Sequence, residues 1–121
     1  MLKKMPTHTG DGTHSSCVVA GDFIFLAHHG GGQDKADITH QVRATFESLK
    51  KTLSTVNATL DDIVQLNFYI KNIEDFSEGR DVFNEYFING APARMTVVTE
   101  FLGSSCLCQM DGIAYKPIQD E

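Results

Sequence analysis

The chain has 121 residues, 41% of them apolar and 21% charged, with 16 acidic against 10 basic side chains and a net charge of −6. These proportions are those of an ordinary globular protein, exclude a disordered low-hydrophobicity chain, and fit one domain spanning residues 1–121. The acidic balance lacks the basic footprint that phosphate-backbone binding needs, so no nucleic-acid partner is expected.

Met1 to Pro6 runs into polar residues with no apolar signal core, and nothing approaches the roughly 18 apolar residues of a membrane span. A cytoplasmic protein with no membrane partner is expected. Its three cysteines, Cys17, Cys106 and Cys108, then read as free thiols. Cys106-Leu107-Cys108 is too tight for the redox Cys-x-x-Cys spacing, and Cys17 and Cys108 read as small core filler.

The β-prone runs Cys17–Ala20 and Phe23–Ala27 flank Gly21-Asp22, a two-residue hairpin signal. The loop Gly30-Gly31-Gly32-Gln33 has neither a phosphate-binding lysine nor dinucleotide-site spacing, and reads as a flexible connection. From Asp37, a helix cap, Ile38, Val42, Phe46, Leu49, Leu53 and Val56 recur at helical steps. The run 63–70 alternates as a strand, placing Val64, Leu66, Phe68 and Ile70 on one face. A second helix over 76–87, with Ser77 as a cap, has Phe76, Arg80, Phe83 and Phe87 on one stripe, and Gly79 weakens it by about 1 kcal/mol. Asn89 to Pro92 breaks it, and strands over 94–101 and 107–115 follow.

The order is therefore β-β-α-β-α-β-β, an α+β fold with both helices on one face of a mixed sheet. In the last strand Cys108, Met110, Gly112 and Ala114 suit the helix-covered face. Leu107, Gln109, Asp111, Ile113 and Tyr115 point the other way. An apolar patch there needs a cover, which predicts self-association.

Several strings in order resemble one family: Gly21 to Phe25, Gln41-Val42-Arg43, Leu60 to Val64, Asp81 to Phe87, Pro92-Ala93-Arg94 and Leu107 to Tyr115. From about Gly12 to Tyr115 the chain resembles the Rid family, also called YjgF/YER057c/UK114 or endoribonuclease L-PSP-like, and Pro-Ala-Arg is the most specific piece. The resemblance implies a chorismate-mutase-like sandwich, a homotrimer with ligand clefts between subunits, and no cofactor. It also implies hydrolysis of 2-imino or 2-aminoacrylate-type acids to 2-keto acids and ammonia, as by a 2-iminobutanoate/2-iminopropanoate deaminase.

Arg94, fixed after a proline turn, presents a planar fork of donors suited to a small carboxylate ligand, the role the family implies for it. Where the family carries a glutamate, this chain has Gln109, whose amide can place a water but cannot take its proton. Asp111, two residues along on the same face, is a candidate for that carboxylate, against a structural role at a subunit interface. His14 stands where the family has tyrosine, and His28-His29 replaces Gly-Gln. One of His14 and His28 is expected to line the cleft, with His29 solvated. No chelating spacing such as His-x-x-x-His occurs, so no metal is expected. Arg80 stands where many members have asparagine, and a second cation there would favour a dianionic ligand. Without a base at Gln109, the alternative is a non-catalytic trimer that binds a small carboxylate.

Overall fold

The computed structural model describes residues 2–117. Its elements are β1 (Leu2–Met5), β2 (Cys17–Ala20), β3 (Phe23–His29), α1 (Ile38–Ser54), β4 (Ile63–Ile70), α2 (Phe76–Tyr86), β5 (Ala93–Val98) and β6 (Cys108–Tyr115). One sheet runs β1-β2-β3-β6-β4-β5, antiparallel except for the parallel pair β4 and β5 that α2 connects. This is the expected α+β sandwich with one addition, the N-terminal strand β1, whose short Leu-Lys-Lys-Met run carries no alternation to announce it. Among the described residues no helix is long and apolar enough to cross a membrane.

Both helices cover the same face. Val42, Phe46, Leu49 and Leu53 of α1 are fully buried over Leu66, Phe68, Ile70 and Met110 of the sheet, and Val82 and Phe83 of α2 join them. Phe46 is the hub: its ring meets Phe83 and Phe87 edge-on and stacks on Tyr86 at 4.6 Å. Asp37 caps α1 as expected, accepting from the Thr39 amide, whereas α2 grows from a 3-10 turn at Ile73–Asp75 and Ser77 caps nothing. The buried residues of α2 are Gly79, Val82 and Phe83, so Arg80 leaves the expected stripe and stands half-exposed. Gly79 is where the helices close on each other: a Cβ there would lie 3.1 Å from the Phe68 ring and 3.3 Å from Ile38.

Polar side chains complete the scaffold. Gln41, fully buried, donates to the carbonyls of Lys35 and Ser105 and accepts from the Leu107 amide, which ties the approach to β6 onto α1. Arg43 makes a bidentate pair with Glu85 of α2. All three cysteines are buried and free, and burial pushes the Cys108 thiol up to about 12. Leu107 departs from its expected face: it packs against the core before β6 begins.

Two β-bulges correct the simple alternation. Against β6, β4 carries one extra residue between Ile63 and Gln65, so Ile63 turns inward and Val64 is 47% exposed. Strand β3 carries another between Leu26 and His29. The glycine loop after it is not a free connection: Gly32 has φ +68, and a Cβ there would stand 2.9 Å from both Ala44 and His40 of α1.

Candidate functional site

Strict alternation along β3 would send Ile24, Leu26 and His28 inward. The bulge resets the period, so Leu26 and His29 both face the helices and His28 emerges on the open face, in a groove it shares with Gln109 of the neighbouring β6. His29 is therefore not solvated, as the sequence suggested, but 6% exposed. Its Nδ1 lies 2.7 Å from the Ala27 carbonyl oxygen and its Nε2 2.7 Å from Thr52 Oγ1, and His8 Nε2 reaches the same hydroxyl at 2.9 Å.

A carbonyl only accepts, so His29 Nδ1 carries the proton and donates to Ala27. In the neutral ring Nε2 then accepts from the Thr52 hydroxyl, whose oxygen is left to accept from His8 Nε2–H. One donor order threads three side chains and pins the loop between β1 and β2 onto the last turns of α1. Neither His8 nor Thr52 was singled out from sequence, although a signal existed: Gln41, Thr45 and Thr52 are polar residues on the buried stripe of α1.

Burial pulls the His29 pKa below its ordinary 6.5; the bond to Ala27 opposes this, and His8, His28 and His14 add to it. Between the folded value and 6.5 the unfolded chain binds a proton that the native state does not, so stability rises with pH across that window. The midpoint of thermal unfolding should fall as the pH drops below about 6.5, and His29→Gln should flatten that slope. An unchanged slope in the variant would show that His29 does not cause it.

Above this chain lies a groove of about 440 Å³, whose walls include Asp11, His14, His28, Gly30, Gly31 and Gln109. His14 and His28 stack with centroids 5.6 Å apart and planes 18° from parallel. Asp11 Oδ2 lies 3.5 Å from His14 Nδ1, an exposed contact of little strength. A Cβ on Gly30 would stand 3.7 Å from Gln109 Cγ, so the glycine leaves the amide room at the groove floor. The structure thus brings three expected residues together: His14, His28 and Gln109. A slightly larger hollow, about 480 Å³ and bordered by Lys50, Leu60, Tyr86 and Ile88, contains none of the expected site residues.

Asp111 is engaged elsewhere. Its carboxylate accepts from Asn67 Nδ2 at 2.7 Å and from Tyr69 OH at 3.1 Å, in the middle of the open face. Among the described residues no cluster of three or more His, Cys, Asp or Glu could hold a metal ion.

Arg94 is on the other side of the sheet. It pairs in register with Leu66, which faces the helices, and its guanidinium carbon lies 5.4 Å from the centroids of both Phe76 and Phe83. Two rings fix the fork, and among the described residues no acid forms an ion pair with it. Two positions along, on the same face of β5, Thr96 Oγ1 is buried with no hydrogen-bond partner. Arg80 lies over Phe76 as well, its guanidinium carbon 5.4 Å from the centroid, with Asp81 3.5 Å away. Within one chain, then, the arginines and the histidine groove occupy opposite faces.

The sequence model of the endoribonuclease L-PSP family matches residues 9–116. A RutC family protein of Pyrococcus abyssi is 34% identical over 111 residues, 87% of each chain. A 2-iminobutanoate/2-iminopropanoate deaminase of Dermatophagoides farinae is 26% identical over 84% of each. Among solved structures, a yjgF family protein of Streptococcus pyogenes superposes with a TM-score of 0.87 at 29% identity, covering 97% of this chain and 98% of the other.

Proposed function

Because the chain belongs to the Rid family, the YjgF or endoribonuclease L-PSP group, we propose that it is an enamine/imine deaminase, acting on 2-imino and 2-aminoacrylate-type acids. The observation that carries this is Arg94: a guanidinium clamped by two rings, with no acid in the described chain to neutralise it. The reaction class also has support in the mite relative named as a deaminase.

Arg94 takes the substrate carboxylate through two parallel N–H···O bonds. The unpartnered Thr96 hydroxyl, on the same face, is a further donor for that carboxylate. Water ordered by Gln109 attacks C2 of the imine, and the C2–N bond breaks as ammonia leaves and the keto acid forms. The imine carbon is already electrophilic, so no cofactor is required. Gln109 cannot receive the proton of the water, and the group placed to take it is the imidazole of His28, which shares the groove.

Arg94 and the groove face opposite ways in one chain, so the cleft is read as lying between copies in a homotrimer. The open face supports this, since Phe25, Met95 and Tyr115 are each more than 40% exposed there. A second reading, a trimer that only holds a small carboxylate, is favoured by the amide at Gln109.

Release of ammonia or keto acid from enzymatically generated 2-aminoacrylate tests the proposal. Acceleration over the spontaneous rate is expected, and none at high protein concentration would overturn it. Gln109→Glu decides between the readings: a natural enzyme loses or keeps its rate, whereas activity that exists only in the variant makes the natural protein a binder.

A further inference from the structure

We propose that the substrate carries a second acidic group, a 2-imino dicarboxylate rather than a simple 2-imino acid, and that Arg80 is the residue that selects it. This rests on Arg94 being the carboxylate site. Two guanidinium groups, one from α2 and one from β5, converge on the single ring of Phe76, each with its central carbon 5.4 Å from the centroid. Like charges gathered on one ring repel, and the ring offsets only part of that in water. Negative charge entering between them would relieve that repulsion.

The chain supplies little of that charge. Arg94 has no acidic partner among the described residues, and Arg80 has one strained for distance, Asp81 at 3.5 Å on the same helix and 70% exposed. Such a pair is weak and screened, so it leaves the donors of Arg80 available. The surroundings make the spot stand out, because the chain as a whole carries a net charge of −6. A monoacid occupying Arg94 makes no use of Arg80, which keeps only its exposed pair with Asp81. A diacid would engage both, with its α-carboxylate on Arg94 and its distal carboxylate on Arg80, since the two guanidinium carbons share one ring at 5.4 Å from its centroid.

The keto acids that the reaction would release offer stable probes of equal length: 2-oxopentanoate with one carboxylate and 2-oxoglutarate with two. Calorimetric titration of the full chain at low salt should give roughly tenfold tighter binding of the diacid, the size of one charge-assisted bond. Arg80→Gln should remove that preference by weakening only the diacid, and Asp81→Asn, which frees Arg80, should enlarge it. Both positions are surface-exposed, so folding is preserved in either variant. Equal affinities in the natural protein, or a preference that survives Arg80→Gln, overturn the assignment while leaving the carboxylate site intact. If neither acid binds at millimolar concentration, the carboxylate site falls, and the diacid assignment with it.

Discussion

Arg94→Ala should lower kcat/KM on 2-aminoacrylate by about a hundredfold, because the bidentate hold on a carboxylate that it removes is worth roughly 3 kcal/mol. Arg94→Lys keeps the charge but loses the planar fork and the stack on Phe76 and Phe83, so it should recover only a minor part of the loss. Thermal stability should barely change in either variant, since the side chain is solvent-exposed and an exposed cation–ring contact contributes about 0.5–1 kcal/mol. The opposite faces of the two half-sites give this prediction a second arm. A cleft built from Arg94 of one copy and the His28 and Gln109 groove of another should complement. Arg94→Ala chains mixed with His28→Ala chains under subunit exchange should regain part of the activity that neither has alone. Full activity in Arg94→Ala would remove the carboxylate role, and failure to complement after demonstrated exchange would place both halves of the site in one copy.

What could be read from the sequence was whatever depends on period and composition. The helix stripe from Ile38 to Leu53, the hairpin at Gly21-Asp22 and the small residues of β6 on the helix side all stand where alternation and helical spacing put them. Within the strands, alternation fails where the chain inserts a residue, at Val64 and in the stretch between Leu26 and His29, and it also misplaces Leu107, which precedes β6. An insertion leaves no signature in side-chain type, because both neighbours of the bulge remain β-prone. The consequence reaches the site: the second bulge leaves His28 on the open face, where it was expected to line the cleft, and buries His29, expected to be solvated, against Thr52. His8 was invisible for a related reason, since a contact between residues 44 positions apart is made by the fold and not by any local pattern. The motif Gln41-Val42-Arg43 was visible as a string, but its work is structural: Gln41 anchors the loop before β6 and Arg43 joins the two helices.

The bulge at Val64 also makes the sharpest stability prediction. Gly112 pairs with Leu66 just past the inserted residue, and there the backbone of β4 is drawn so close to β6 that a Cβ on Gly112 would collide with the Gln65 carbonyl oxygen. The same Cβ would stand 3.2 Å from Leu66 Cα and 3.3 Å from the Gln65 carbonyl carbon, so nothing in the way is a flexible side-chain end. Gly112 is thus more than a small residue suited to a helix-covered face; it is the only residue type that lets the bulge close. Gly112→Ala must push apart β4 and β6, two adjacent interior strands of the sheet, on which the buried Leu66, Phe68 and Met110 depend. Overpacking against backbone of this kind costs about 3 kcal/mol or more. At a fixed protein concentration the unfolding midpoint should drop by roughly 10 °C or more in a chain of this size. Gly79→Ala meets the movable ring of Phe68 and the Ile38 side chain and should lose less, while Gly12→Ala, with nothing within 4 Å, should be neutral. That ordering separates the bulge from a general cost of replacing glycine. If Gly112→Ala were as stable as Gly12→Ala, β4 and β6 could not lie in the register that sets Ile63 inward and Val64 out.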